Sequence, residues 1–389
     1  MKMTFRIFIF FVLVVFGANN FVFAAENIDW SHAKRINSRE ELASYIRDCE
    51  KNLVTDIRVI IPKSLKVGDL EPIKDMILIP EMITTRYSVK NDPNFYYVRY
   101  VIKCYPGSKV VYAYKTGKTS ILNAEERQLY NEGLKLLRQI NSLQNETAKA
   151  YWINFYLSNK VEYFHDPASI KVGNMPHFTT AYGALIEGKA NCQGFTDAFY
   201  MLGSMCGLNV DRVLGLMGKD SHAWNMIQYK DGKSYFIDAT SSAGYNQPQS
   251  GGFTNLMYLN FPLEIAQADH SWKTEYLPMN NFQQVADWRY PFYSENVNQV
   301  KETVVKNFGG IIRCADAGSA LDKAARGIAV KKYSTCWLMI NYNSDYSTSE
   351  QLAAYLVKKI ESYTARKITC TLWSFVRGKY IFCVVKSSE

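Results

Sequence analysis

Apolar positions along this chain recur at two periods, and the change from one to the other marks its elements. Leu42, Tyr45, Ile46 and Cys49 fall three and four residues apart, as on one face of a helix. Ser38-Arg39-Glu40-Glu41 just before them reads as its capped start, a Ser with Glu at the third following position. Residues 55–62 read as a strand. Residues 96–105 and 109–115 also read as strands, joined by a turn at Pro106-Gly107-Ser108. This pattern predicts a small α/β unit over 25–120.

Residues 124–143 and 146–161 have helical period, broken at Gln144-Asn145. A loop is expected over 164–178, where Asp166, Pro167, Gly173, Asn174 and Pro176 interrupt any period. Phe195, Ala198, Phe199, Leu202, Met205 and Cys206 then form the apolar stripe of an amphipathic helix stopped by Gly207. Residues 222–229 and 233–240 predict a hairpin, and 121–295 reads as one central domain led by helices. From 296 to 389 the element order resembles that of the first unit. A helix is expected at 319–326 and a strand at 334–342. A second helix, 349–364, carries Leu352, Tyr355, Leu356 and Ile360 on one face, and a hairpin over 367–385 turns at Arg377-Gly378. A related α/β unit at each end is the expectation.

The first residues obey a different logic. Lys2 and Arg6 precede an apolar run from Ile7 to Phe16, and Val22-Phe23-Ala24 places small residues where a signal peptidase reads. Residues 1–24 therefore read as a signal peptide cleaved after Ala24, which implies a secreted or cell-surface protein. An uncleaved anchor is the weaker alternative, because the run is short for a bilayer and is succeeded by Asn19 and Asn20. No later stretch is long and apolar enough to span, so no integral membrane segment is expected after cleavage. The net charge of +9 is spread along the chain. Nucleic-acid binding needs a concentrated basic face, so no nucleic-acid partner is expected. None of the eight cysteines stands in a CxxC pair or at zinc spacing. Export permits disulfides, and a bridge between Cys370 and Cys383, which flank the last hairpin, is one option.

Candidate chemistry concentrates in the centre. Cys192 opens the amphipathic helix, in Gly188-Lys189-Ala190-Asn191-Cys192-Gln193-Gly194-Phe195. Unpaired first-turn N–H groups and the positive end of the helix dipole favour a thiolate there, and the same groups can receive an oxyanion. Cys206 lies on the buried stripe and reads as core. A thiol nucleophile needs a base, and the base needs an orienter. Among His32, His165, His177, His222 and His270, only His222 opens a strand whose hairpin partner carries an acid, Asp238. A three-residue loop at Lys230-Asp231-Gly232, with Gly232 left-handed, pairs Tyr229 with Lys233 and sets Trp224 opposite Asp238. His222 then lies on the same face, two residues away. A two-residue loop would turn His222 away, so a catalytic pair requires an odd loop, or a bulge between His222 and Asn225. Singly, each residue has a plainer explanation: an incidental cysteine, a surface histidine, an aspartate that caps the segment after its strand. Their joint order is what favours a site.

These blocks resemble the transglutaminase-like superfamily. The matching segments are Thr180-Ala181-Tyr182-Gly183-Ala184-Leu185, the block around Cys192, Val213-Leu214-Gly215, Ser221-His222-Ala223-Trp224-Asn225 and Tyr235-Phe236-Ile237-Asp238-Ala239-Thr240. Asn260-Phe261 through Asp269-His270-Ser271-Trp272 is similar to the stretch that comes after this domain in bacterial members. The likeness covers about 150–280. It implies an α+β fold with a papain-like core, the cysteine helix packed on a small antiparallel sheet and flanked by small α/β domains. It also implies Cys192 as nucleophile, His222 as base and acid and Asp238 as orienter, with no cofactor and no metal; the spacing itself shows no metal-ligand cluster. The oxyanion would be held by the Cys192 N–H and an upstream side chain. Tyr182 is the candidate, with a packing tyrosine as the plainer reading, and Gln193 comes after it. His270 reads as a structural hydrogen-bonding residue. The function so implied is an exported thiol enzyme acting on amide or isopeptide bonds of protein or cell-wall peptides, by hydrolysis rather than cross-linking. The competing reading is a non-catalytic cell-surface binding or scaffold protein that retains the fold.

Overall fold

The computed structural model describes residues 23–24, 28–65, 76–88, 92–143, 145–171, 174–243, 256–272, 277–284 and 289, together with helices and strands from residue 308 onward. The expected signal peptide lies outside these residues except at its last two.

The first unit is a five-stranded sheet. Its strands are β1 (Phe23–Ala24), β2 (Lys34–Arg35), β3 (Asp56–Pro62), β4 (Glu81–Ser88) and β5 (Phe95–Lys103), in the order β1-β4-β5-β3-β2. β1 runs parallel to β4 and β2 to β3, and the other pairs are antiparallel. Helix α1 (Arg39–Lys51) connects β2 to β3. Ser38 caps it, accepting from the Glu41 N–H at 3.0 Å. Leu42, Ile46 and Cys49 are buried against the sheet, as their spacing predicts, and Tyr45 packs at the edge. β4 is not among the strands predicted from the sequence. Thr84, Thr85 and Arg86 break its apolar pattern, and pairing with β5 is what makes it a strand.

Residues 109–115, expected as a strand, are helical. Helix α2 spans Pro106–Thr116, with Pro at its start and Gly117 at φ 72° as its left-handed cap. Val110, Val111 and the tyrosines around them favour a strand locally. Burial decides otherwise, because Val110 and Val111 belong to the central apolar core, whereas the first unit's core runs from Ile36 to Ile102. Helix α2 thus packs with the central core.

Helices α3 (Ala124–Asn141) and α4 (Glu146–Lys160) come next, capped by Asn123 and Asn145. β6 (Glu162–Tyr163) pairs in parallel with β7 (Lys189–Ala190). Between them the expected loop holds only short 3-10 turns before a π-helical turn at Gly183–Glu187. Helix α5 (Cys192–Met205) is next, then β8 (Asn209–Met217), β9 (Asp220–Gln228) and β10 (Ser234–Ile237). Two short helices, α6 (Ala239–Ala243) and α7 (Leu263–Asp269), lead to β11 (His270–Ser271). The strands form an antiparallel sheet in the order β10-β9-β8-β11. α5 is sandwiched between β8 and β9 on one side and α2, α3 and α4 on the other. A helix enclosed in this way needs apolar residues nearly all round. Phe195, Ala198, Phe199, Met201 and Leu202 are fully enclosed.

The last sheet comprises β12 (Phe308–Cys314), β13 (Thr335–Asn341), β14 (Thr369–Arg377) and β15 (Tyr380–Ser388), with helix α8 (Ser349–Tyr363) between β13 and β14. Its order is β12-β13-β15-β14, the first pair parallel and the others antiparallel. The first unit repeats that order and those directions in β2-β3-β5-β4. The two ends therefore share strand order and direction, while the helices named in them differ in place, α1 between β2 and β3 and α8 between β13 and β14. The register of β14 with β15 sets Cys370 opposite Ser387 and Cys383 opposite Ser374. Four rungs separate the two cysteines, about 13 Å along the strand. That is too far for a disulfide between them. Among the described residues, no helix is long and apolar enough to cross a membrane.

Candidate active site

The site begins at the first turn of α5. Asn191, extended at φ −91° and ψ −173°, caps the helix and accepts from the N–H groups of Gln193 at 3.0 Å and Gly194 at 3.2 Å. Gly194 has no room for a side chain, since a Cβ there would lie 2.5 Å from the Phe178 carbonyl oxygen. The loop before the helix thus packs directly on its first turn. Cys192, a free and half-buried thiol, projects from this fixed end. Asn191 consumes the next two donors, which leaves the Cys192 N–H as the first-turn group available to an oxyanion.

The hairpin has the register that the catalytic reading requires. Ser234 pairs with Gln228 and Ile237 with Asn225. The Tyr229 N–H donates to the Lys233 carbonyl at 3.0 Å, and Gly232 is left-handed at φ 78°. The loop is three residues, so His222 and Asp238 share a face, with His222 Nε2 at 2.9 Å from Asp238 Oδ2. The other carboxylate oxygen accepts from the Ser241 N–H at 3.0 Å. Asp238 therefore caps α6 and holds His222 at once. Cys192 lies near enough to His222 to act on its charge. With Nε2 taken by Asp238, Nδ1 is the nitrogen left for it.

Burial opposes charge on His222, but the Asp238 carboxylate and then the Cys192 sulfur outweigh it and push its pKa up to about 10. Burial would raise Asp238, yet the charge and hydrogen bond of His222, joined by His270, hold its carboxyl well below the usual range. The other described cysteines are in different surroundings. Burial pushes the thiol of Cys206 up to about 11 and that of Cys104 up to about 12, and raises Cys49 as well.

His270, which reads from the sequence as a structural hydrogen-bonding residue, adjoins this pair. His270, in β11, lies with Nε2 at 3.3 Å from Asp238 Oδ2 and Nδ1 at 2.6 Å from Asp269 Oδ1. The Tyr258 hydroxyl donates to the other Asp269 oxygen at 2.7 Å. No spacing could reveal this, because His270 lies 32 residues from Asp238 and reaches it only by pairing with Met217 on β8. Tyr163 also stands at the site, opposite Ala190 in the short β6–β7 ladder and beside α6. Burial, and then the proximity of Cys192 and Asp238, raise the pKa of its hydroxyl well above the usual phenol range.

Ligand-type atoms of His222, Asp238 and His270 lie within 4.8 Å of one another, a cluster that sequence spacing does not show. Protons account for it better than a metal. Both nitrogens of His270 already face carboxylate oxygens, so hydrogen bonds hold the three groups to one another.

Tyr182, the expected oxyanion donor, is engaged elsewhere. Its hydroxyl donates to Gln128 Oε1 on α3 at 3.0 Å and its ring lies 4.6 Å from that of His177. A phenol has a single O–H to give, so Tyr182 serves packing. Gln193, half-buried, gives its backbone N–H to Asn191.

Behind the thiol, Asp197 of α5 anchors the helix from three directions. It accepts from the Gly107 N–H at 3.2 Å, the Ala181 N–H at 2.9 Å and Arg212 Nη2 at 2.6 Å. Arg212, on β8, also donates to Ser108 at 2.8 Å and to Glu50 of α1 at 3.4 Å, and lies 3.8 Å over the Tyr200 ring. This buried network ties the first unit, α2 and the sheet to the cysteine helix.

No protein-family model matches the chain, and no curated protein matches it. Solved structures similar to it include a TGase, at 20% identity over 48% of this chain and 51% of that one, with a TM-score of 0.27. A candidate cysteine protease from Cytophaga hutchinsonii is similar at 14% identity over 48% and 64%, with a TM-score of 0.24. A candidate protease from Parabacteroides distasonis is similar at 8% over 86% and 66%, with a TM-score of 0.26. The chain thus spans about half the length of the first and under two thirds of the second. Likenesses at these TM-scores carry no argument, and the functional reading rests on the site itself.

Proposed function

We propose that this chain is an exported thiol enzyme of the transglutaminase-like type, with a papain-like core, that acts on amide or isopeptide bonds of protein or cell-wall peptides. The observation that carries the reading is a single constellation: the half-buried thiol at the start of α5 near His222, and Asp238 at 2.9 Å from the imidazole. In the proposed reaction the Cys192 thiolate attacks the carbonyl carbon, and negative charge moves onto the oxygen, towards the Cys192 N–H. His222, held as imidazolium by Asp238, gives its Nδ1 proton to the nitrogen as the C–N bond breaks, leaving a thioester and a free amine. Neutral His222 then takes a proton from water as the water oxygen attacks the thioester. The C–S bond breaks, the acid is released, and the Cys192 thiolate and His222 imidazolium are restored. An amine in place of water would give cross-linking by the same steps, and hydrolysis is the use we favour.

The reading is tested by mapping alkylation. Limited iodoacetamide should label Cys192 before Cys49, Cys104 and Cys206, and His222→Ala should slow labelling of Cys192 by about tenfold or more. Equal labelling of every accessible thiol would refute it. Incubation with a peptide pool should leave an acyl adduct on Cys192 that is identifiable by mass.

A further inference from the structure

We infer that His270 is a second imidazolium seated on Asp238, a positioning residue that fixes the carboxylate and weakens its hold on the proton of His222. This rests on the reading of Cys192, His222 and Asp238 as the reacting triad.

Donors and acceptors decide the charge of the ring. His270 is buried, and each ring nitrogen faces a carboxylate oxygen, Asp269 at 2.6 Å and Asp238 at 3.3 Å. A carboxylate has only lone pairs to offer, so satisfying both contacts requires both ring protons, and with them a positive charge. Ionisable groups face His270 from each element packed on it. Asp238 and His222 come from the sheet, Asp269 from the end of α7, and Tyr258 from the turn before it. The remaining walls are the rings of Trp224 at 4.7 Å and Phe261 at 5.4 Å. Asp269 in turn is pinned by the Tyr258 hydroxyl, and the Asp238 N–H donates to the Tyr258 carbonyl at 2.9 Å. Tyr258 therefore sets the spacing of the two carboxylates that His270 bridges. Both imidazoles use the same oxygen of Asp238, and their ring centres are 5.7 Å apart.

Two effects result, with the same sign. A like charge at this distance disfavours the charged form of His222. Sharing Asp238 Oδ2 also reduces the negative charge that His222 feels. His270 thus keeps the His222 proton transferable to a leaving amine, where Asp238 alone would bind it more tightly.

The first test needs no turnover. In the full-length Cys192→Ala chain, 15N-histidine NMR at pH 7.5 should show both nitrogens of His270 protonated, with the signal assigned by its loss in His270→Gln. A neutral His270 tautomer would overturn the inference. The second test uses the pH profile. His270→Gln, which can still donate one neutral hydrogen bond, should move the alkaline limb of kcat/KM up by about one pH unit, tenfold in proton affinity. A lower kcat with an unmoved limb would mean that His270 only supports the fold, and would overturn the tuning role. If His270→Gln does not fold, the His270 signal is assigned instead by elimination, from the loss of the other signals in His→Gln variants of His32, His165, His177 and His222, and the NMR measurement then decides. Loss of preferential Cys192 alkylation in the wild-type chain would instead defeat the triad reading, whatever the charge of His270.

Discussion

Replacing Arg212 with Met would leave Asp197 and Glu50 buried without the guanidinium that now lies between them. Their exposures are 0% and 2%, and the contacts removed are those at 2.6 Å and 3.4 Å. Two unpaired carboxylates cannot both stay charged in such a place, so one must take a proton. At 1.36 kcal/mol per unit, protonating a carboxyl of ordinary pKa about 4.3 costs about 3.7 kcal/mol at pH 7 and about 1 kcal/mol at pH 5. The pH 7 figure agrees with the roughly 3–5 kcal/mol known for breaking a buried pair by removing one partner. The direction of the Glu50 shift gives the sign. Burial, with Asp197 adding to it, already raises Glu50 above its ordinary value even with Arg212 present. A carboxyl raised on folding destabilises the fold above its unfolded pKa, and the variant raises it further. The penalty should therefore grow as pH rises from about 4.5 to 7. Urea unfolding of Arg212→Met and wild type, monitored by tryptophan fluorescence at both pH values, measures this difference. A loss that is equal at pH 5 and pH 7, or below about 1 kcal/mol at pH 7, would refute the electrostatic account. Adding Glu50→Gln should recover part of the loss, and simple additivity of the two changes would also count against coupling.

Two further outcomes are expected. Asp238→Asn keeps the shape but removes the charge that holds the His222 pKa up near 10, so the alkaline limb of kcat/KM should fall by more than one pH unit, with kcat reduced on the order of 10²-fold or more; an unmoved limb would show that Asp238 does not hold the imidazolium. Tyr182→Phe removes only the hydrogen bond to Gln128, so kcat should stay within about twofold of wild type, and a large loss would return Tyr182 to the oxyanion site.

What the sequence by itself determined was local. Ser38 and Asn191 set where helices begin, and the stripe from Phe195 to Met205 marked α5 as a helix with an inward face, although the fold buries its other faces too. Gly232 marked the turn, while the choice of a three-residue loop, and with it a common face for His222 and Asp238, came from the folded hairpin. Each local signal comes from a period, a cap or one permitted backbone angle, acting over fewer than about ten residues. The tertiary structure decided the rest. Residues 106–116 became a helix because the central core offered burial, against a local preference for strand. Tyr182 turned to Gln128, and His270 reached Asp238 across the sheet. Arg212 joined Asp197 to Glu50, which is 162 residues away. Such contacts depend on which surfaces are left to cover once local elements exist, and no local period encodes that.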